Sequence, residues 1–374
     1  MKNYLKITSA IFIFSFSDIY AAEKLKKFPY ISGELLTQVQ SDHALSTRKE
    51  GVASGNAFLY AQADIAVNID KNWTAKTQWR LQPNDVLTTR NKATPERYRT
   101  FLSNDRGVNL DEMGLLVEEL KIEYENEDLK AFAGKFDPTF GTAWRKSKRI
   151  GVFTAQMTED YNLREKIGVG VTALLENSNV TLNSFVNDKT SLSRSMFNDR
   201  GRANNSGSIA GNNSAFSSYS ISMDGENFLT IDNLFYNLGY RSLGVNREDS
   251  DSKREQGYVA SLEYLYKITR NSSVIPFVEM VKIKNFNGER SRDATYTTLA
   301  LIGKYSSWTG SVSFIDRDIK EPLSHKKIND RMLQLTVGYK FTDNLTVDLS
   351  RANLKEDGYK APMIGANVTY LYKF

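Results

Sequence analysis

Ile364-Gly365-Ala366-Asn367-Val368-Thr369-Tyr370-Leu371-Tyr372-Lys373-Phe374 alternates residue by residue. Ile364, Ala366, Val368, Tyr370, Tyr372 and Phe374 fall on one side of an extended chain, and Gly365, Asn367, Thr369, Leu371 and Lys373 on the other. Successive side chains of a strand point to opposite faces, so one face is apolar and aromatic and the other mostly polar. Two settings suit such a segment. One is the edge strand of a soluble β-sandwich, with its polar face in water. The other is a strand of a transmembrane barrel, whose outward face meets lipid and carries aromatics where lipid meets water.

The other end of the chain separates the two. Lys2 and Lys6 precede an apolar run at 7–16, followed by Ser17, Asp18, Ala21 and Ala22. A basic start, a short apolar core and small residues at the end predict a secretory signal peptide over 1–22. Cleavage is expected after Ala22 or Ala21, and the run is too short to cross a bilayer as a helix. Residues 23–374 contain no long apolar stretch. A barrel needs none, because its lipid-facing residues are hidden in alternation.

The same alternation recurs through the mature chain. Leu59, Ala61, Ala63, Ile65, Val67 and Ile69 oppose Tyr60, Gln62, Asp64, Ala66 and Asn68. Trp73, Ala75, Thr77, Trp79 and Leu81 oppose Thr74, Lys76, Gln78, Arg80 and Gln82 after a turn at Asp70-Lys71-Asn72. Ile167, Val169 and Val171, then Leu333, Leu335 and Val337, then Leu345, Val347 and Leu349 continue the pattern. Short turns near Lys71, Asn126, Ser178, Gly225, Asn271, Ser307 and Asp343 alternate with long polar connections at about 41–55, 83–113, 138–163, 189–214, 242–256, 285–294, 319–329 and 354–361. The prediction is an all-β, transmembrane antiparallel barrel of sixteen strands, with short periplasmic turns and long external loops, in a bacterial outer membrane. Stretch 227–242 changes phase and is expected to hold a bulge. Sixteen strands leave an aqueous lumen, and closure leaves no unpaired edge in the hydrocarbon.

Composition narrows the function. The chain has no Cys, so disulfides and thiol sites are excluded. It has 49 Lys+Arg against 44 Asp+Glu; loss of Lys2, Lys6 and Asp18 with the signal peptide leaves a net charge of +4. So even a balance argues against a nucleic-acid partner. Only His43 and His325 are present, both in predicted connections, and no Ser/His/Asp set or metal-ligand spacing can be assembled. Glu118-Glu119 and Asp111-Glu112 are read as solvated carboxylates. No enzyme activity, metal or cofactor is expected.

Ala133-Gly134-Lys135-Phe136-Asp137-Pro138-Thr139-Phe140-Gly141-Thr142-Ala143-Trp144 resembles a strand-to-loop motif of the general porins of Gram-negative bacteria. Thr158-Glu159-Asp160-Tyr161-Asn162-Leu163-Arg164-Glu165-Lys166-Ile167-Gly168-Val169-Gly170 resembles the exit from the same loop, and 191–202 adds local similarity. The resemblance implies a third loop folded into the barrel at about 138–163. It also implies a homotrimer, in which the long connection 83–113 reaches a neighbour, and passive diffusion of small hydrophilic solutes and ions. The strand ending at Phe374 resembles the signal read by the barrel-assembly machinery. In the family an acidic residue often follows the Trp; here it is Arg145, which leaves ion preference open.

The residues of 138–163 suit an inward loop. Gly134 and Gly141 permit sharp bends at its entrance. Ile150, Val152, Phe153 and Met157 are apolar enough to pack on an inner wall. Arg145, Lys146, Lys148 and Arg149 form a basic run, with Glu159 and Asp160 as the acidic counterpart, and Lys76 and Arg80 are the expected wall-side cations. Opposed charges at a constriction select solutes by charge as well as size. The other reading of the basic run is a solvated loop tip touching lipopolysaccharide. The alternative function is a substrate-specific channel for an anion such as phosphate.

Overall fold

The period-two segments form strands, each paired antiparallel to its neighbours in sequence. The computed structural model describes residues 27–46, 55–83, 113–193, 210–211, 216–246, 248, 250–322, 327–356 and 358–374. The signal peptide at 1–22, most of the connection 83–113 and residues 194–202 of the third motif lie outside them.

The first wall comprises β1 (Tyr30–Ala44), β2 (Gly55–Asn68), β3 (Trp73–Pro83), β4 (Met113–Glu125) and β5 (Leu129–Phe136). Shorter strands follow: β6 (Lys166–Leu175), β7 (Ser178–Asn187), β8 (Ser218–Gly225), β9 (Leu234–Leu243), β10 (Glu255–Tyr264) and β11 (Tyr266–Thr269). Long strands complete the circuit: β12 (Ser272–Lys284), β13 (Asp293–Tyr305), β14 (Trp308–Lys320), β15 (Lys327–Lys340), β16 (Leu345–Glu356) and β17 (Tyr359–Lys373). Segments β10 and β11 both pair with β12 and are parted only at Leu265, so they are one strand with a break and the strands number sixteen.

β1 pairs with β2 on one side and β17 on the other, in register from Glu34↔Lys373 to Ala44↔Met363, which closes the barrel. At the seam, Gly33 and Phe374 exchange both backbone hydrogen bonds at 3.0 Å. A Cβ on Gly33 would lie 2.8 Å from the Phe374 ring, so the glycine leaves the space the ring occupies.

Facing follows the alternation. On β15, Leu333, Leu335 and Val337 are 49%, 53% and 44% exposed, while Met332, Gln334 and Thr336 between them are buried. The Thr336 hydroxyl bonds inward to that of Ser350 at 2.6 Å. Val169 and Tyr370 lie on the same outward surface, and Leu59 and Ile65 share a strand face with exposed Val67. Aromatics gather beside the short turns: Trp73 on Tyr124 at 5.1 Å, Trp308 on Tyr339 at 4.7 Å, and Tyr339 on Phe341 at 4.8 Å. An apolar belt bounded by such a girdle is what a bilayer selects. The short turns are set by Asx side chains. Asp70 Oδ1 accepts the N–H groups of Asn72 and Trp73, and Asn126 Oδ1 those of Asp128 and Leu129.

Three sequence readings need correction. The connection expected at 354–361 is shorter, because β16 runs on to Glu356 and β17 resumes at Tyr359. Stretch 227–242 holds no bulge; 226–233 is an extended turn, with Asn227, Leu229, Thr230 and Asn233 in the left-handed region, and β9 follows it. The bulge is in β4, where Gln78 pairs with Glu119 but Trp79 with Val117, leaving Glu118 as the extra residue. His43 lies within β1, exposed, rather than in a connection.

Candidate functional site: the segment inside the barrel

The chain between β5 and β6, 137–165, leaves the wall through a bend that only glycine allows. Gly134 has φ +135°, and a Cβ there would lie 2.8 Å from Lys121 Cα; Gly141 has φ +74°. From this bend the segment runs against inward-facing side chains of the opposite wall. Glu279 of β12 is its first anchor. Its carboxylate accepts the N–H of Thr142 at 2.6 Å, the N–H of Ala143 at 3.1 Å, the Thr142 hydroxyl at 3.0 Å and the Tyr161 hydroxyl at 2.7 Å. Ser311 of β14 donates to Ile150 O at 2.7 Å. Gln334 of β15 accepts the Phe153 N–H at 3.1 Å and donates to Thr154 Oγ1 at 2.7 Å.

Apolar contacts complete the seating. Ile150 and Ala143 pack with Ile275 and Phe277 of β12 and Ile302 of β13. Val152, Phe153 and Met157 pack with Ile315, Met332, Leu354 and Met363 of β14–β17. The Phe153 ring sits where Gly365 of β17 has no side chain; a Cβ there would be 2.6 Å from the ring. Burying a side chain of this size is worth roughly 1.5–3 kcal/mol. Ile150 and Phe153 are fully buried.

The predicted charges divide into separate groups. Lys146, at 2.5 Å, and Arg149 both bind Glu263 of β10, so these two cations tie the segment to the wall. Arg145 is exposed and stacks on Trp144, its guanidinium 5.0 Å from the ring. The side chain of Lys148 lies outside the described ones. The Asp160 side chain is buried: Arg317 of β14 holds it at 2.8 Å, together with Asp330 at 2.7 Å and Glu356 at 3.3 Å. Glu159 keeps partial exposure and lies 3.4 Å from Arg164. The acidic pair is therefore split between a wall anchor and a partly open position. Lys76 and Arg80 both point inward, Lys76 to Glu123 at 2.6 Å and Arg80 to Glu118 at 2.9 Å.

Glu118 corrects the solvated reading given to Glu118-Glu119. The β4 bulge turns it inward, where it is fully buried between Arg80 and Arg164, the latter at 2.6 Å. Asp137 stands beside it, accepting the Glu165 N–H at 2.7 Å. Burial first, and then the Glu118 charge, push the Asp137 carboxyl up to about 7, although Arg164 opposes the shift. The sign of the pH effect follows. Below about pH 4 Asp137 is protonated whether the chain is folded or not. Between there and about 7 the folded chain holds a proton the unfolded chain has lost, so stability falls as pH rises through that window. The unfolding temperature should drop from pH 4 to 7 more steeply in the native protein than in Asp137→Asn. Identical pH profiles would contradict this placement.

Glu263, Glu279, Arg317 and Gln334 are the anchors that sequence reading missed. One signal was available: β12 is apolar on both faces, Ile275, Phe277, Val281 and Ile283 inside and Val274, Val278 and Met280 outside. An apolar inner face needs a cover, and 137–165 supplies it. Among the described residues no cluster of three or more His, Asp or Glu side chains is placed to hold a metal.

No protein-family model and no characterised protein sequence matches the chain. Solved structures do. Pseudomonas putida OprB, in its high-pH structure, aligns over 91% of this chain and 94% of its own, with TM-score 0.59 and 11% identity. Salmonella typhi OmpF in complex with daunomycin aligns over 92% and 98%, with TM-score 0.58 and 11% identity. Pseudomonas aeruginosa OccK8 (OprE) covers the same shares at TM-score 0.52 and 11% identity. The protein is an outer-membrane β-barrel. Its structural neighbours are porins of several kinds, and the general porins are not singled out among them. At these identities the likeness concerns the fold.

Proposed function

We propose that the barrel is a water-filled channel for passive diffusion of small hydrophilic solutes and ions, narrowed by 137–165. The observation that carries this is the seating of that segment on Glu263, Glu279, Ser311 and Gln334, all inward-facing wall residues. A sixteen-strand barrel is wide enough to conduct, and a segment laid inside it sets the narrowest cross-section. Charges at that level then sort ions. Glu159, Arg80 and Arg145 are the charges proposed to face the solute, while Lys146, Arg149 and Asp160 hold the segment in place.

Arg145 gives the direct test, because it is exposed and has no ion-pair partner among the described residues. Arg145→Glu should move the reversal potential in a salt gradient toward cations, most at low ionic strength, where screening beyond roughly 10 Å is weakest. Conductance should change less. An unchanged reversal potential would place the basic run outside the permeation path, as a solvated tip.

The same reading assigns assembly roles. Phe374, at the seam, is the proposed signal for the barrel-assembly machinery, and the working form is a homotrimer set in lipid and lipopolysaccharide. Phe374→Ala should lower the amount of heat-modifiable barrel in the outer membrane. Native mass measurement should find three chains; full yield of the variant, or monomer alone, would count against the respective role.

A further inference from the structure

On the short-turn side of the inner segment, the inward face of the β10–β14 wall gathers cations. Ile150 packs on Ile275 of β12 and Ile302 of β13. The next inward residues of those two strands, toward the short turns, are Ser273 and Lys304. The strand registers set Lys304 between Ser273 and Thr309 of β14, so two hydroxyls flank one ammonium in a single row. Lys304 is half-buried and lies within electrostatic reach of Arg149 and Glu263. Three cations, Lys146, Arg149 and Lys304, thus surround the Glu263 carboxylate.

The bonding within this group is incomplete. Lys146 and Arg149 both bind Oε2 of Glu263, and among the described residues Oε1 has no partner. Arg149 uses Nη2 there and leaves Nε unpartnered. Lys304 has no ion pair among the described residues. The next inward carboxylate of β12, Glu279, is buried and taken by Thr142, Ala143 and Tyr161. Lys146 and Arg149 keep 29% and 13% of their side-chain surface, so the recess is open to the lumen. Three cations about one carboxylate in a partly buried recess repel one another more than they would in water, and an anion joining them relieves that repulsion.

We infer that Lys304, Lys146 and Arg149, with the hydroxyls of Ser273 and Thr309 and the free oxygen of Glu263, bind a phosphate that still carries a proton. The cations and the two hydroxyls donate to its oxygens, the charged donors about twice as strongly as neutral ones. Glu263 decides between oxyanions. Its ionised carboxylate can only accept, so Oε1 takes the P–O–H proton of hydrogen phosphate. Sulfate has the same shape and no proton to give, and leaves that acceptor unpaired against a like charge. A site built around an acceptor rejects the analogue that lacks the donor. The inference deepens the channel reading, and rests on it for access of the solute to the recess.

Isothermal titration calorimetry of the full barrel in detergent, with inorganic phosphate and with sulfate as probes, tests the site. The native protein should bind phosphate saturably, and at least about tenfold more tightly than sulfate. Lys304→Gln should weaken phosphate about tenfold, through loss of one charged contact. Planar bilayers test the place of the site in the solute path. Phosphate should block the chloride current of native channels at the concentrations that saturate binding, and the variant should need about ten times more. Phosphate binding that leaves the current untouched would support the site and count against the channel reading. Absence of phosphate binding, equal affinity for sulfate, or equal affinity in Lys304→Gln would overturn the site. Should Lys304→Gln yield no folded barrel, Thr309→Val is read in the same way, with a loss of about threefold expected and no loss contradicting the site.

Discussion

Glu279→Ala should release the inner segment and give channels with larger and noisier conductance steps. The Glu279 carboxylate receives two backbone N–H groups and two hydroxyls from 137–165. Hydrogen bonds to a charged acceptor contribute about 1.5–3 kcal/mol each, and removal of the acceptor leaves the buried donors unsatisfied. Several kilocalories of seating energy are therefore at stake in one side chain. Glu279→Gln should not rescue, because half of its amide presents donors to donors. The apolar contacts of Ile150 and Phe153 remain, so the barrel itself should still assemble. Protease cleavage within 137–165 should increase together with conductance. Unchanged conductance and unchanged protease resistance would show that Glu279 is not the anchor its geometry describes.

Val337→Arg should sharply reduce the yield of folded barrel, and Thr336→Lys should not. The two residues are adjacent, yet Val337 is exposed on the lipid belt beside Leu349 and Thr336 bonds Ser350 inside. Arginine or lysine on a lipid face near the midplane costs roughly 2–4 kcal/mol, whereas a lumen-side charge can be hydrated. The quantity to compare is the heat-modifiable fraction after refolding into lipid vesicles. Equal yields for the two variants would break the facing assignment on which the membrane placement stands.

The belt was legible because it depends on period two alone. Leu333, Leu335 and Val337 declare a face without knowledge of any other strand. The turns were legible for a similar reason, since Asp70 and Asn126 act on residues two and three positions away. The top of the β16–β17 hairpin was misread as a loop at 354–361 because Lys355 and Lys360 face outward there while Glu356 points inward. There alternation yields polar residues on both faces, and the strand no longer looks half apolar. The bulge at Glu118 was hidden as well. It shows only in the pairing of β3 with β4, and it converts a pair of surface carboxylates into a buried partner for Arg80 and Arg164.

The site was half legible. Ile150, Val152, Phe153 and Met157 stood out as too apolar for a solvated loop, and the structure buries all four on the inner wall. Which charges would be spent on anchoring was not readable. Lys146 and Arg149 look identical to Arg145 in sequence, and their partner Glu263 lies more than a hundred residues away on a strand whose register the sequence does not announce. Asp160 likewise becomes an anchor only because Arg317 lies under it.

The central claim is that 137–165 narrows a conducting lumen. The absence of cysteine makes it directly testable, because a single introduced thiol is unique. Arg145→Cys channels in a planar bilayer should drop in conductance when a bulky, membrane-impermeant thiol reagent is added, whereas Leu182→Cys, on the exposed outer face, should not respond. Complete modification of Cys at 145 with no change in conductance would contradict the account, since the segment would then lie away from the path that ions take.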